Sequence, residues 1–266
     1  MNAATQQQTA YYVYGVVPTG RPLPALGDQG VDPAFPPEVL AHGSVAAVVA
    51  RIGLAATPDS GEPDAESALA RVLAHERVLD RIVDAGVPVV PFRFGAACSG
   101  PDDVMALLDD RRHEFEKALA RLEGRIELGV KAYVDEAGVA EAVSTQDERL
   151  SALEAEVASA SPGAAHLKRK QLERLVEDAA MSERLRLATS LHERLASASL
   201  AARTNPLPEP AEGLRPILNG AYLVTRDNEE TFRRAAADAA GEHTAVALRI
   251  DVTGPWPAYN FVGSEE

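Results

Sequence analysis

The amino-acid sequence predicts an α+β protein of two domains, built from antiparallel sheets and helices of the ferredoxin-like type. The chain has 266 residues, which is enough for two modest domains. Strand-like and helix-like segments follow the order β, ββ, α, β, α up to Gly124 and β, αα, β, α, β after it. We therefore expect an N-terminal ferredoxin-like α+β domain at 9–123 and a C-terminal α+β domain with a long helical hairpin at 124–263.

The first half contains six predicted elements in chain order. A β-branched and aromatic run at 11–17 predicts a strand. Two apolar runs separated by a Gly-Ser pair predict a hairpin over 38–52. Apolar residues at three- and four-residue spacing predict a helix at 64–85, which a glycine ends. The run VPVVPFRFG at 87–95 predicts a strand. Its two prolines have no backbone N–H, so part of this strand is expected where no neighbouring strand requires a hydrogen bond from it. A proline followed by two aspartates predicts the start of a helix at 101–123.

The second half repeats this mixture of strands and helices. Alternation of apolar and polar residues predicts a half-buried strand at 125–135. The run PILNGAYLVTR at 216–226 predicts another strand. A helix is expected at 227–241 with Asp227 as its N-cap, and a last strand at 243–254.

Residues 136–203 predict the helical hairpin. They are rich in Ala, Leu, Glu and Arg, and only the tripeptide SPG at 161–163 interrupts them, as a turn between antiparallel helices would. The second arm only partly follows the seven-residue repeat of a coiled coil, because small residues occupy some of the positions that would face a partner helix. The predicted seam is Leu172, Leu175, Ala179, Ser182 and Leu185.

Charge and cysteine content exclude several classes of function. The net charge is −14, which disfavours general binding to nucleic acid or to an anionic membrane surface. The cluster at 168–170, Lys-Arg-Lys, is therefore interpreted as a solvated helical face. Cys98 is the only cysteine, so an internal disulfide is excluded. The polar N-terminal segment 1–10 lacks the features of a secretory signal, and a cytoplasmic protein is expected.

The motif search predicts no catalytic residue, no cofactor and no metal. Two His-Glu pairs, at 75–76 and 192–193, begin like the HExxH zinc motif, but Leu79 and Ala196 occupy the position of the second histidine. There is also no phosphate-binding glycine loop and no nucleophile elbow. Cys98 could be a nucleophile, although a small buried thiol is the simpler interpretation.

His75, Glu76 and Arg93 form the first candidate site. His75 lies on the apolar face of the predicted helix, where a hydrogen bond would have to satisfy its ring. Arg93 lies on the following predicted strand, where its side chain is expected on the opposite face from those of Phe92 and Phe94. We expect an ion pair between Glu76 and Arg93 that ties the helix to the strand, which makes this a structural polar contact.

The stretch GPWPAYNFVG at 254–263 forms the second candidate site and contains the only tryptophan. Its two prolines predict a stiff extended segment that leaves the preceding strand ladder. Trp256, Tyr259 and Phe261 then have two possible roles. They anchor the segment over the sheet of their own domain, which is the preferred interpretation, or they remain exposed as a contact for a partner.

Five sequence blocks in order resemble the gas vesicle protein F/L family. They are HERVLDRI (75–82), VPVVPFRFG (87–95), RIELGVKAYVD (125–135), LNGAYLV (218–224) and GPWPAYNFV (254–262). The resemblance implies a non-enzymatic accessory protein of gas vesicle assembly. It also implies a ferredoxin-like N-terminal domain, a C-terminal domain with a helical hairpin, and localisation at the gas vesicle. The implied partners are the small hydrophobic shell-forming gas vesicle protein and other gas vesicle accessory proteins.

Two classes of function remain open at the level of the sequence. The first is an assembly factor that binds the shell protein and keeps it soluble or guides its incorporation, which an acidic chain suits. The alternative is a small-molecule sensor or enzyme, because ferredoxin-like folds carry many unrelated activities. The sequence offers this alternative no convergent group of polar residues.

Overall fold

The structure, a computed structural model, describes residues 9–53, 65–210 and 213–263. The start predicted for the first helix, Asp64, and most of the N-terminal segment lie outside these residues. The chain divides into two compact units, of which the first comprises Met1–Glu127 with Pro255–Glu266 and the second comprises Leu128–Gly254. The C-terminal residues thus group with the first unit, whereas the sequence placed the whole of 124–263 in the second domain.

The sheet of the first unit has the strand order of a ferredoxin-like fold. Its strands are β1 (Thr9–Pro18), β2 (Glu38–His42), β3 (Val45–Gly53), β4 (Val90–Pro91) and a short β5 (Ala97–Cys98) beside β1. The order is β2-β3-β1-β4, and the pairs are antiparallel. A helix joins the first two strands of the ferredoxin-like βαββαβ motif, whereas here the irregular segment 19–37 makes this connection. The predicted fold class is confirmed, and so is the hairpin of β2 and β3.

Helices cover both faces of this sheet. α1 (Ala65–Asp84) lies against one face, and α2 (Pro101–Asp110) and α3 (Arg112–Leu122) lie against the other. A β-bulge in β1 lies between Val13 and Gly15, and the extra residue allows Val13 and Val16 to share the face that meets α2 and α3. We call this cluster the main core: Val13, Val16, Val45, Ala47, Val49, Val90, Val104, Leu108, Phe115 and Leu119.

Two predicted elements of the first unit differ from the structure. Only Val90–Pro91 of the predicted strand 87–95 is a strand, because its prolines remove ladder donors. The predicted helix 101–123 is two helices, which meet at Arg111 with φ −111° and ψ 17°. The Arg111 guanidinium lies 4.8 Å from the centre of the Phe115 ring and hydrogen-bonds to Glu114, so the break is held by local side-chain contacts.

The second unit repeats the same strand order. Its strands are β6 (Arg125–Asp135), β7 (Ala201–Thr204), β8 (Leu214–Thr225) and β9 (Arg249–Trp256). They lie in the order β7-β8-β6-β9, which is again the order second, third, first, fourth along the chain. In this unit the helical hairpin stands between the first two strands, where the first unit has an irregular segment. Both units are therefore variants of one topology.

The helices of the second unit follow the prediction with three differences. They are α4 (Glu136–Gln146), α5 (Glu148–Ser159), α6 (Pro162–Ser197) and α7 (Glu229–Glu242). The first arm of the hairpin breaks at Asp147, whose side chain accepts a hydrogen bond from Arg149 N and caps α5. Residues 201–204 form a strand rather than the end of the helix. Asn228 rather than Asp227 is the N-cap of α7, because a short 3-10 turn precedes it.

The buried seam of α6 also differs from the predicted one. Leu172 and Ala179 are half-buried, but Leu175, Ser182 and Leu185 are exposed. The fully buried residues of α6 are Ala180, Leu187, Leu191 and Leu195. The helix contacts α5, α4 and β8 in turn along its length. Because these neighbours approach from different sides, one heptad seam does not describe the buried face. No helix in the described part of the chain is long and apolar enough to cross a bilayer.

Candidate functional site

His75 lies inside the first unit, on the side of α1 that packs against the sheet. Its side chain is completely buried. Nδ1 lies 2.8 Å from the hydroxyl oxygen of Tyr12 on β1, and Nε2 lies 3.0 Å from that of Tyr259. The ring of Tyr14 stacks on the imidazole, with 5.6 Å between centroids and 17° between planes. One histidine thus connects the first strand, the first helix and the C-terminal segment.

The hydrogen bonds around His75 have one consistent direction. They begin at the backbone N–H of Gly95, which can only donate, 3.3 Å from the Tyr12 hydroxyl. They end at the Glu76 carboxylate, which only accepts, with Oε1 3.2 Å from the Tyr259 hydroxyl. Tyr259 therefore donates to Glu76 and accepts from Nε2–H, and Nδ1 accepts from Tyr12. A neutral imidazole with its proton on Nε2 satisfies every member of this chain.

Burial sets the protonation states in this network. It lowers the pKa of His75 to about 4, because a buried imidazolium loses its hydration. Burial also raises the pKa of Glu76, and the nearby Asp80 raises it further, against the opposing hydrogen bond from Tyr259. Burial and the Glu76 carboxylate raise the pKa of Tyr259. Both ring nitrogens of the neutral imidazole are engaged by tyrosine hydroxyl groups, so His75 links β1 to the C-terminal segment.

Arg93 does not join this network. Its side chain is exposed, on the segment that follows β4. Glu76 receives its hydrogen bond from Tyr259, not from the arginine that the sequence placed near it. The expected alternation of a continuous strand does not hold at position 93, because only Val90–Pro91 of that segment is paired.

The C-terminal segment ends a strand and then turns. β9 continues through Pro255 to Trp256, although the sequence predicted that the prolines would stop the ladder. β9 lies at the edge of its sheet, where a missing N–H is tolerated. Beyond Pro257 the chain folds tightly, with Tyr259 N 2.7 Å from Pro257 O and Phe261 N 3.0 Å from Ala258 O. The predicted extended segment is therefore a pair of turns.

The three aromatic residues of this segment have different surroundings. Phe261 is 1% exposed, and Val262 packs against the main core of the first unit. Tyr259 is half-buried, with its hydroxyl in the His75 network. Trp256 is 39% exposed. The segment therefore closes the first unit, whereas the sequence expected it to cover the sheet of the second domain.

Glu127 forms a further contact that sequence reasoning missed. Its Oε2 accepts from the backbone N–H of Asn260 at 3.0 Å, and its Oε1 accepts from Asn260 Nδ2 at 2.6 Å. Glu127 is only 5% exposed, and burial raises its pKa while both Asn260 contacts lower it. In the alternating pattern of 125–135, Glu127 falls between the apolar Ile126 and Leu128 and is expected on the polar face. A strand pattern cannot reveal a partner that is more than 100 residues away in the chain.

The remaining candidate groups are held by local contacts. His192, from the second His-Glu pair, has Nδ1 2.9 Å from the hydroxyl of the buried Tyr222. The Cys98 thiol is half-buried against the main core, and burial raises its pKa. Lys168 pairs with Glu156 at 2.6 Å. Within the described ranges, no cluster of three His, Cys, Asp or Glu side chains has a geometry that would hold a metal ion.

An open cavity of about 380 Å³ lies between residues 29–33 and α1. Asp32, Arg71 and Arg77 line it, and the Asp32 carboxylate already accepts a hydrogen bond from Gly53 N at 3.2 Å. Its lining in the described part of the chain contains neither histidine nor cysteine. The described lining therefore lacks the imidazole and thiol ligands of a soft-metal site.

Replacing Tyr259 by phenylalanine is expected to lower the free energy of unfolding by about 1 to 3 kcal/mol. The change removes one hydroxyl and leaves His75 Nε2 and Glu76 Oε1 without that partner. Urea unfolding followed by Trp256 fluorescence measures the loss. Tyr11→Phe is the matched control, because Tyr11 is a half-buried tyrosine on β1 with no side-chain hydrogen bond among those found in the described ranges. Equal midpoints for Tyr259→Phe and the control would contradict the network.

Comparison with known proteins identifies the family. The model of the family described as gas vesicle synthesis protein GvpL/GvpF matches residues 10–263. Gas vesicle protein L of Streptomyces sp. (strain CB03234) is 32% identical over 271 residues, which cover 96% of this chain and 93% of that protein. Gas vesicle protein F of the same strain is 31% identical over 255 residues, with 94% and 98% covered.

A solved structure has the same fold. The crystal structure of the gas vesicle protein GvpF from Anabaena sp. PCC7120 superposes with a TM-score of 0.75 at 18% identity, over 97% of this chain and 100% of that chain. The relatives are named as gas vesicle proteins and not as enzymes. The resemblance that five sequence blocks predicted is confirmed. This chain belongs to the gas vesicle synthesis protein GvpL/GvpF family and takes part in gas vesicle formation.

Proposed function

We propose that this protein is a non-enzymatic accessory protein that acts in the cytoplasm and at the gas vesicle. It binds the small hydrophobic shell-forming gas vesicle protein, alongside other gas vesicle accessory proteins, and keeps it soluble or guides its incorporation. Membership of the family over residues 10–263 supports a role in assembly. The net charge of −14 supports a carrier role, because like-charged complexes repel each other and stay in solution.

The exposure of Trp256 is the observation that carries this proposal. Tryptophan is the residue type most enriched where protein partners bind tightly, since it offers a large apolar area and a polar N–H. Trp256 is 39% exposed, whereas Phe261 is 1% exposed. We therefore assign the two roles left open by the sequence to different residues. Tyr259 and Phe261 anchor the segment, and Trp256 contacts the shell protein.

His75 and Glu76 have a structural role in this proposal. They hold the Tyr259 hydroxyl and thereby fix the turn that follows Trp256. Arg93, which is exposed and outside the network, has no part in this role. The alternative of a small-molecule sensor or enzyme has the open cavity beside α1 in its favour, whose described lining contains no histidine or cysteine.

Co-expression with the shell protein tests the proposal. We expect the wild-type chain to raise the soluble fraction of the shell protein, and Trp256→Ala to abolish most of that gain because the contact area is lost. Val39→Ala is the matched control, since Val39 on β2 is 42% exposed in the same unit. A wild-type chain that leaves the shell protein insoluble would refute the carrier function. Full activity of a folded Trp256→Ala variant would refute the assignment of Trp256 alone.

A further inference from the structure

α6 carries two apolar faces, and the unit covers only one of them. The covered face consists of the buried residues Ala180, Leu187, Leu191 and Leu195. The other face consists of Leu167, Leu175, Met181 and Leu185, which are 70%, 41%, 65% and 67% exposed. We call these four residues the outer stripe. Isolated exposed leucines are common on protein surfaces, so the arrangement of the four decides whether they form a surface.

Helical geometry places the outer stripe on one side of α6. At about 100° per residue, Leu167 and Leu185 are separated by about five full turns and lie on one line. Met181 lies about 40° to one side of this line and Leu175 about 80° to the other. The buried Leu191 lies about 240° away, on the far side of the helix. The outer stripe therefore lies along one side of α6 over about 27 Å, with the exposed Arg174 and Asp178 between its ends, on the opposite side of the helix from Leu187 and Leu191.

We propose that the outer stripe binds a second copy of this chain, with the two α6 helices antiparallel. A two-fold axis at the level of Val176 places Leu167 of one copy opposite Leu185 of the other. The same axis places Arg174 opposite Asp178, so the leucine pair and an ion pair occur in one register. Both charged side chains are exposed on the stripe side of α6 and are available for this pairing.

The parallel arrangement does not have this complementarity. It would place Arg174 opposite Arg174 and Asp178 opposite Asp178, and like charges at a helix interface are unfavourable. The antiparallel contact involves only four apolar side chains per copy, so its area is at the lower end for specific interfaces. We therefore expect a reversible dimer with a dissociation constant on the order of 10 µM. This self-association does not depend on the proposed binding of the shell protein.

Analytical ultracentrifugation of the purified full chain tests the proposal. The wild type is expected to pass from monomer to dimer as its concentration rises to about 200 µM, which is well above the expected dissociation constant. Leu185→Glu is expected to weaken dimerisation at least about tenfold, because it places a carboxylate against an apolar side chain. Ser190→Glu is the matched control. Ser190 is exposed on the same helix but lies about 140° from the line of Leu167 and Leu185.

An exchange of charges tests the antiparallel register itself. Arg174→Asp is expected to weaken the dimer, because it faces Asp178 of the second copy with a like charge. The double variant Arg174→Asp with Asp178→Arg restores the opposite charges and is expected to restore the dimer. Thermal unfolding by circular dichroism confirms that each variant is folded.

Three outcomes would overturn the proposal. The first is a wild type that remains monomeric at every concentration tested. The second is dimerisation that persists unchanged in Leu185→Glu. The third is a charge-exchanged double variant whose dimer stays as weak as that of Arg174→Asp. If the wild type is monomeric and Leu185→Glu reduces the soluble yield of the shell protein, the stripe binds that client instead, and the proposed function stands without this dimer.

Discussion

Replacing Phe261 by alanine is expected to lower the free energy of unfolding of the first unit by about 3 to 5 kcal/mol. The Phe261 side chain is 1% exposed, and its neighbour Val262 packs against the main core. Truncation to alanine therefore removes buried apolar area and leaves a cavity that the surrounding side chains refill only in part. Denaturant unfolding followed by the fluorescence of Trp256 reports on the same segment, because Trp256 is the only tryptophan.

Trp256→Ala provides the comparison for this prediction. Tryptophan is larger than phenylalanine, but Trp256 is 39% exposed and loses less buried area on truncation. Circular dichroism is expected to give a smaller loss of stability for Trp256→Ala than for Phe261→Ala. A change below about 1 kcal/mol for Phe261→Ala would show that the segment does not close the core.

Lowering the pH from 7 to 5 is expected to remove about 2 kcal/mol of stability through His75 alone. Burial lowers the pKa of His75 from 6.5 to about 4 in the folded chain. Between these values the unfolded chain binds a proton that the folded chain does not bind. The stability that the neutral His75 side chain contributes to the folded chain is therefore present in full above about pH 6.5. It decreases as the pH falls and stops changing near pH 4.

His75→Gln isolates this effect. Burial raises the pKa of Glu76, Asp80 and Glu127, and these carboxyl groups favour the folded state as the pH falls, which opposes the effect of His75. Because they are present in both proteins, the difference in stability between wild type and His75→Gln is expected to narrow by about 2 kcal/mol from pH 7 to pH 5. His166→Gln, at an exposed position of α6, is the control substitution in the same measurements. A constant difference between wild type and His75→Gln would contradict a buried neutral imidazole.

The sequence predicted the elements that local chemistry determines. The hairpin of β2 and β3 follows from two apolar runs and the turn at Gly43, whose φ of +63° suits glycine. α1 and α7 follow from their apolar spacing, and the turn at 161–163 follows from its composition. The predictions from sequence were wrong where contacts with distant parts of the chain determine the local structure or the buried face. Examples are the strand at 201–204, which pairs with β8, and the choice of buried face on α6.

The candidate site was predicted only in part for the same reason. His75 and Glu76 were found because a polar pair on an apolar helix face needs a partner. The partner was assigned to Arg93, which is near in the chain, whereas the structure provides Tyr259, 184 positions after His75. Glu127 and Asn260 left no signal, because a carboxylate on a strand and an amide in a turn are both usual at a surface.

The sequence by itself determined the family, the α+β class and the positions of most strands and helices. These depend on residue order, local propensity and periodicity, which are properties of short segments. Only the tertiary structure decided that residues 255–263 complete the first unit and that Phe261 is buried while Trp256 remains partly exposed. An aromatic residue gains free energy from whichever core it enters, so its type cannot specify which core that is. The hydroxyl of Tyr259 and the amide of Asn260 make that choice specific, because their partners His75, Glu76 and Glu127 lie at fixed places in the first unit.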